Sequence, residues 1–199
     1  MLTLLRERTE GVAVSALAGL APRAQAVLKS LRDLGWIEPC ALPLADASAA
    51  NAPGSAAPAL TPEQQVAVAR VRDSTHEFAT WLLMGVTGSG KTEVYLQLIA
   101  DTLARGKQAL LLVPEINLTP QLESLVRDRF PSATTVSLHS GLNENERLRG
   151  WLAAQAGTAS IVLGTRLAIF TPLPALGLIV VDEEHDASFK QLEGLRYSA

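Results

Sequence analysis

Short apolar runs recur along the last two thirds of the chain, and stretches with helical character separate them. Each run is continuous and rich in Leu, Val and Ile; the runs cover residues 81–86, 109–113, 135–138, 160–163 and 178–181. Strands of this kind are buried on both faces, as in a parallel sheet that helices cover. Helices are predicted over residues 91–105, 119–129 and 144–155. The alternation predicts an α/β three-layer domain with a mainly parallel sheet and right-handed crossovers.

The first 45 residues follow a helical rhythm instead, and they are predicted to form a separate small domain. Pro22 suits the first position of a helix whose apolar side carries Val27 and Leu31, and Gly35 ends that helix. Short helices, a tight turn and a following strand are typical of a winged helix-turn-helix. Residues 1–45 are therefore predicted to be a winged-helix-like domain.

Residues 46–59 are predicted to be a flexible linker between this domain and the α/β domain. They contain no large apolar residue, and Pro53, Gly54 and Pro58 argue against the alternative of an Ala-rich helix. The α/β domain then occupies residues 60–199.

Basic residues on the third helix of the small domain have two interpretations. Arg23, Lys29 and Arg32 are candidates for contact with nucleic-acid phosphates, as in a winged helix that binds DNA. They are equally compatible with an ordinary solvated face.

Composition narrows the function classes. The net charge is −3, so any contact with nucleic acid has to be local rather than through a global basic field. A single cysteine, Cys40, excludes an internal disulfide framework and a cysteine-based zinc cluster in this chain. No apolar run approaches the roughly 18 residues of a membrane span, and no signal peptide is recognisable. We therefore expect an intracellular protein without a membrane partner.

A glycine-rich turn follows the first predicted strand of the α/β domain and leads into a helix. Its sequence, Gly-Val-Thr-Gly-Ser-Gly-Lys-Thr over residues 85–92, matches G-x-x-x-x-G-K-[ST] at every fixed position. The glycines let backbone N–H groups surround phosphate oxygens, and the helix N-terminus adds partial positive charge. Lys91 is predicted to reach the β- and γ-phosphates of ATP, and Thr92 to bind Mg²⁺. The predicted ATP-binding residues are Gly85, Thr87, Gly88, Ser89, Gly90, Lys91 and Thr92. The motif predicts a P-loop NTPase of RecA-like fold.

An acidic motif, Asp-Glu-Glu-His at residues 182–185, follows the last predicted strand. That strand delivers Asp182 to the carboxyl edge of the sheet, where ligands bind in open α/β folds. Asp182 is predicted to hold Mg²⁺ together with Thr92, and Glu183 to take a proton from the attacking water. A solvated acidic loop is the alternative, and the pairing with the phosphate loop argues against it. Lys91, Asp182 and Glu183 are therefore the predicted catalytic residues.

The acidic motif resembles the DExH box of superfamily 2 helicases, and further segments point to one branch of that superfamily. Residues 60–64, Leu-Thr-Pro-Glu-Gln, resemble the adenine-reading Q motif, and residues 113–121 resemble a DNA-contacting motif after the second strand. His-Ser-Gly-Leu at residues 139–142 and Gly-Thr-Arg at residues 164–166 complete the set. On these motifs, residues 60–199 resemble the first motor lobe of the replication-restart DNA helicases.

The resemblance implies a role for individual residues. Gln64 would recognise adenine, and His185 would couple nucleotide to DNA. The DNA strand would be held through phosphates rather than bases; the residues implied to contact it are Pro114, Glu115, Thr119, Pro120, Thr165 and Arg166. Leu167 departs from the small polar residue expected after Gly-Thr-Arg.

The resemblance also implies an activity and a setting. The family consists of ATP- and Mg²⁺-dependent 3′-to-5′ DNA helicases of replication restart and primosome assembly, which act on forked or single-stranded DNA. Single-stranded DNA-binding protein and other primosome proteins would be partners, in the bacterial cytoplasm at the nucleoid. The family also has a second motor lobe and cysteine-rich zinc sites, whose ligands are missing here. The chain is therefore expected to be a fragment or a truncated reading frame, with a lobe that is incomplete at its C-terminus and inactive alone in unwinding.

Two other function classes remain open. A different P-loop enzyme would need an arginine-bearing lid, as in small-molecule kinases, or a Leu-Ser-Gly-Gly-Gln-type signature, as in transporter ATPases, and neither is found. A fragment that binds nucleotide and DNA without turnover fits the same motifs. Hydrolysis of ATP with and without forked DNA discriminates between these readings.

Overall fold

The computed structural model describes residues 24–38, 57–74, 77–114, 120–191 and 196–199. Contacts between Cα atoms divide the chain into two compact units, residues 1–46 and 47–199. The limits given above for a winged-helix-like domain and a linker stay a prediction.

In the first unit, helix α1 spans Ala24–Asp33. The turn that follows it contains Gly35, whose φ of 72° suits a residue without a Cβ atom, and whose N–H donates to the carbonyl of Arg32 at 2.9 Å. Leu31 is buried, whereas Val27 is exposed. Lys29 and Arg32 are exposed, as both interpretations of these residues require, and Arg23 lies outside the described residues.

The second unit alternates helices and strands. In chain order the described elements are α2 (Pro62–Asp73), α3 (Lys91–Ala104), β1 (Gln108–Leu112), α4 (Pro120–Arg129), β2 (Thr135–Leu138), α5 (Glu144–Gln155), β3 (Ile161–Gly164), a 3-10 helix (Arg166–Phe170), β4 (Leu176–Val181), a second 3-10 helix (Ala187–Phe189), β5 (Lys190–Gln191) and β6 (Tyr197–Ser198). Strands β1 to β4 form one parallel sheet in the order β2-β3-β1-β4, and β5 and β6 form a small antiparallel ribbon. The predicted α/β class with a mainly parallel sheet is confirmed.

Strand β1 lies at the centre of the core, and its residues alternate between two apolar clusters. Ala109 and Leu111 pack with residues of α3 and α4 on one face of the sheet. Leu110 and Leu112 pack on the other face against α5 and the first 3-10 helix. Alternation is inherent to a strand, because successive side chains point to opposite faces. The result is the three-layer arrangement that the continuous apolar runs predict.

Two of the helices begin with the same capping device. Thr61 and Gln64 form a capping box at the start of α2, and Asn143 and Glu146 form another at the start of α5. Each box satisfies two backbone N–H groups that a helix start leaves without partners. None of the described helices combines the length and the hydropathy that crossing a bilayer requires.

One predicted strand is absent from the structure. Residues 81–86 have irregular backbone and lie outside the described sheet, and Leu82 and Met84 are 70% and 84% exposed. The prediction rested on apolar composition, and composition does not by itself establish the backbone hydrogen bonds with a neighbouring strand that a sheet requires. Among the described residues, β4 is paired only with β1, so the edge of the sheet beyond β4 has no partner strand.

Candidate nucleotide-binding and catalytic site

The phosphate loop lies immediately before α3, as the motif predicts. Gly88 and Gly90 have φ of 80° and 79°, in the left-handed region that favours glycine. A Cβ atom at Gly90 would also collide with the carboxamide of Gln64. Both glycines are therefore required by the path of the backbone, which brings the loop to the N-terminus of a 14-residue helix.

The ammonium group of Lys91 folds back over its own loop. Its Nζ donates to the carbonyl oxygens of Gly85 at 2.8 Å and Val86 at 3.4 Å. Carbonyl and phosphate oxygens are both acceptors for ammonium protons, so these contacts are compatible with the predicted role of Lys91 in phosphate binding. Lys91 is thus held against the backbone of its own loop.

Gln64 contacts the phosphate loop from α2. Its Nε2 donates to the carbonyl oxygens of Ser89 at 3.2 Å and Gly90 at 3.3 Å, and its Oε1 accepts from the N–H of Thr61 at 2.9 Å. The side chain therefore joins the start of α2 to the loop. Recognition of adenine by Gln64 stays a prediction. In the structure the side chain of Gln64 holds the phosphate loop through these hydrogen bonds.

Strand β4 delivers the acidic motif to the same edge of the sheet. The N–H of Asp182 donates to the carbonyl of Leu112 at 2.9 Å, which aligns the motif with the end of β1. Burial is the main cause that raises the pKa of Asp182, the charge of Glu183 raises it further, and the charge of Lys91 opposes both. The effect of the Lys91 charge on this pKa agrees with the prediction that the phosphate loop and the acidic motif act together.

Glu183 has a backbone conformation that side chains rarely adopt. Its φ is 50°, the one positive value among the described residues other than glycine. Such local strain is often found at functional positions, where the surrounding structure holds it. The carboxylate Oε2 lies 3.7 Å from Nε2 of His185, and both side chains reach solvent. The predicted base and the predicted coupling residue are therefore neighbours.

The motifs did not indicate a further residue that lies three positions after Thr92, which with Asp182 is a predicted magnesium ligand. This is Tyr95, which is buried in α3. Burial raises the pKa of Tyr95 to about 12; a hydrogen bond with the Thr92 side chain opposes this shift, and the charge of Asp182 adds to it. Helical spacing was the available signal, because residues three apart share one face of a helix. A hydroxyl and a carboxylate are oxygen ligands of the kind Mg²⁺ prefers, so the donor set fits the ion.

The structure buries some of the predicted DNA-contacting residues and exposes others. Pro114 and Thr165 are buried, and Pro120 is exposed at the start of α4. Arg166 donates through Nη1 to the carbonyl oxygens of Ser188 and Lys190, both at 3.0 Å. Glu115 and Thr119 lie outside the described residues.

Through these two hydrogen bonds, Arg166 holds the segment that follows the acidic motif. Its guanidinium carbon also lies 5.9 Å from the ring centroid of Tyr197, within the range of a cation–π contact. Tyr197 in turn packs edge-on against Phe170 at 4.9 Å between ring centroids. A phosphate would have to compete with two carbonyl groups for this side chain.

Comparison with known proteins agrees with this site. Residues 61–197 match the DEAD/DEAH box helicase family. The chain is 53% identical over 139 residues to the replication restart protein PriA of Synechocystis sp., which is 70% of this chain and 16% of that relative. It is 53% identical over 122 residues to the protein of the same name from Haemophilus influenzae, and 47% identical over 142 residues to that of Bacillus subtilis. These matches cover 61% and 70% of the chain, and 17% and 18% of the two relatives, so the chain spans less than a fifth of the length of each. The phosphate loop, the acidic motif at the end of β4 and the match over most of the second unit together show that the chain belongs to the DEAD/DEAH box helicase family.

Proposed function

We propose that this chain is the first motor lobe of an ATP-dependent 3′-to-5′ DNA helicase of replication restart. The observation that carries the proposal is a phosphate loop at the N-terminus of α3 together with an acidic motif that the hydrogen bond from the N–H of Asp182 to the carbonyl of Leu112, at 2.9 Å, holds at the carboxyl end of β1. The role in replication restart is supported by the similarity to the PriA relatives. The direction of movement is the one implied by the family resemblance.

The site residues would divide the work of ATP hydrolysis. Lys91 would exchange its carbonyl partners for oxygens of the β- and γ-phosphates, and Thr92 and Asp182 would hold Mg²⁺. The ion, when bound, neutralises charge on the phosphate oxygens. Glu183 would orient the attacking water and accept its proton. Chemistry of this kind depends mainly on positioning and charge stabilisation, which a preformed loop and sheet edge provide.

The DNA strand would cross the ends of β1 and β3 through contacts with phosphates. Pro114, Glu115, Thr119 and Pro120 follow β1, and Thr165 and Arg166 follow β3. Pro114 and Thr165 are buried, Pro114 has no backbone N–H, and the N–H of Thr165 donates to the carbonyl of Leu138, so we propose that these two residues shape the loops on which the strand lies. His185 would pass the state of the nucleotide to this surface through its neighbour Glu183.

The whole protein would work in the bacterial cytoplasm at the nucleoid, on forked or single-stranded DNA. Single-stranded DNA-binding protein and other primosome proteins are the proposed partners. Zinc sites are proposed only for parts of the whole protein outside this chain, since Cys40 is its one cysteine.

Calorimetry with the 199-residue chain tests the proposal. The parent should bind ATP in the presence of Mg²⁺, and Lys91→Ala should lose that binding, because the variant removes the positive charge that the γ-phosphate meets. Lys107→Ala is the matched control, since Lys107 is exposed in the turn that precedes β1. Unchanged affinity in Lys91→Ala would overturn the assignment of the phosphate loop.

A second candidate function is nucleotide binding without turnover by this chain alone. Among the described residues, Lys91 is the cation whose charge acts on Asp182, while Arg129 is paired with Glu93 and Arg166 with backbone carbonyls. An arginine supplied from a partner surface is worth a factor of roughly 10³ to 10⁵ in phosphoryl transfer. We expect hydrolysis by the isolated chain to stay near background, with or without forked DNA. A DNA-stimulated turnover approaching about one per second would contradict this second candidate.

A further inference from the structure

A pocket of about 510 Å³ opens on the second unit between α5, the end of β2 and the first 3-10 helix. Close contacts fix the elements that form its walls. A Cβ atom at Gly150 would lie 2.9 Å from Cδ2 of Leu138, so α5 approaches β2 more closely than a larger residue allows. The capping box of Asn143 and Glu146 stabilises the start of the same helix. The pocket is therefore preformed, as ligand sites usually are.

The walls of the pocket are apolar and partly aromatic. Leu148, Leu167 and Phe170 line it and are 55%, 51% and 53% exposed, and Trp151 beside them is half-buried. Apolar side chains that share one pocket, rather than being scattered singly over a surface, mark a binding site. The two aromatic rings also offer flat faces on which another planar ring can stack.

A few polar groups interrupt these walls. Nδ1 of His139 accepts from the N–H of Gly141 at 3.2 Å, so the hydrogen of the neutral ring lies on Nε2, which can donate to a ligand. Glu144 and Arg147 are both exposed, and their opposite charges offset each other. Thr171 is buried, and its hydroxyl oxygen has no partner among the described residues. Apolar walls with few polar groups and no excess of charge suit a neutral heteroaromatic ring better than a phosphate.

The pocket lies beside the proposed path of DNA. His139 directly follows β2, and Leu167 directly follows Arg166, so the lining begins where the proposed contacts after β3 end. Both positions are at the carboxyl edge of the parallel sheet. A single strand that crosses the ends of β1 and β3 therefore passes next to the opening. Its bases, unlike those of a duplex, are free to leave their stack.

We propose that this pocket receives one base of single-stranded DNA, which stacks on the ring of Trp151 and is enclosed by Leu148, Leu167 and Phe170. The proposal rests on the proposed function, since it requires a DNA strand at this edge of the sheet. It adds a contact with a base to the contacts with phosphates, and the contact tolerates any sequence because every base has an aromatic face. A protein partner would also cover the apolar walls, but its binding would not depend on the bases of DNA.

A comparison of two oligonucleotides isolates the contribution of the bases. Fluorescence anisotropy at low salt measures the affinity of the 199-residue chain for oligothymidylate and for an abasic strand of the same length, which keeps the sugars and phosphates. We expect the parent chain to bind the abasic strand about tenfold more weakly, as the loss of a stacking contact predicts. Equal affinities for the two strands would overturn the proposal and leave the proposed function intact. A parent chain that binds neither strand would overturn the proposal together with the DNA path on which it rests.

Trp151→Leu tests whether the pocket makes this contact, because it keeps an apolar side chain and removes the ring. The difference between the two strands should fall below about twofold, whereas a change that only disturbs the fold weakens the binding of both strands alike. Trp81→Leu is the matched control, since Trp81 is an exposed tryptophan outside the pocket, and this variant should keep the tenfold difference. An undiminished difference in Trp151→Leu would place the base contact elsewhere and overturn the proposal.

Tryptophan fluorescence covers the case in which Trp151→Leu does not fold. The chain has three tryptophans, so the double variant Trp36→Phe/Trp81→Phe retains Trp151 alone. Stacking of a base on the indole should quench its emission, so oligothymidylate should lower the fluorescence and the abasic strand should not. Emission that responds to neither strand would overturn the proposal. Emission that changes instead with the concentration of the chain would overturn it in favour of a second copy of the chain at this pocket.

Discussion

Strand β1 and residues 81–86 are comparable apolar runs in sequence, but the first is buried in the structure and the second is exposed. All five residues of β1 are buried, between β3 on one side and β4 on the other. Residues 81–86 are all exposed, although Trp81 donates through Nε1 to Ser74 at 3.1 Å. Strand β4 is intermediate: it pairs with β1, yet Ile179 is 45% exposed. Burial of an apolar run is therefore set by the number of neighbours it finds as well as by its composition.

The largest expected effect comes from a substitution in β1. Leu111 is fully buried, and Leu111→Ala should lower the free energy of unfolding of the second unit by about 2–5 kcal/mol, through lost transfer energy and the cavity that remains. Urea denaturation followed by circular dichroism measures the change. A loss below about 1 kcal/mol would mean that the core around β1 is loosely packed.

Replacement of a polar residue in the same strand should lower the free energy of unfolding by a smaller but measurable amount. Gln108 is buried and donates through Nε2 to the carbonyls of Ala154 and Ala159, while its Oε1 accepts from the N–H of Ala175. Gln108→Leu removes the partner of the Ala159 carbonyl and of the Ala175 N–H, whereas the Ala154 carbonyl still accepts from the N–H of Gly157, and the change should cost about 1–3 kcal/mol in the same assay. The exposed Gln155→Leu is the matched control, with an expected change within about 0.5 kcal/mol. Equal effects of the two variants would show that the Gln108 network contributes nothing.

The smallest effect is expected in the exposed run, where Leu82→Ala repeats the substitution made at Leu111. With Leu82 70% exposed, little area is lost, and the change should stay within about 0.5 kcal/mol. A loss of unfolding free energy comparable to that of Leu111→Ala would contradict the exposure of residues 81–86 and would favour the buried strand that the sequence predicts.

The candidate site was predictable in its chemistry and less so in its contacts. Glycines with left-handed backbone, a lysine and a threonine at fixed spacing identify the phosphate loop because phosphate binding constrains each position. Nothing in that spacing indicates that Gln64 supports the loop or that Arg166 is engaged by the carbonyls of Ser188 and Lys190. Those contacts join residues more than 20 positions apart, so local pattern carries no information about them.

The sequence by itself determined the class of fold, the family and the two motifs, because periodicity, glycine conformation and ligand chemistry act within a few residues of each other. Only the tertiary structure decided which apolar runs are buried and which distant residues contact the two motifs. Residues 81–86 lie outside the described sheet, although their composition resembles that of β1. The acidic motif lies at the end of β1 because β4 pairs with that strand and the N–H of Asp182 donates to the carbonyl of Leu112. Pairing between distant segments depends on the packing of the whole sheet, so the sequence of a single run does not determine it.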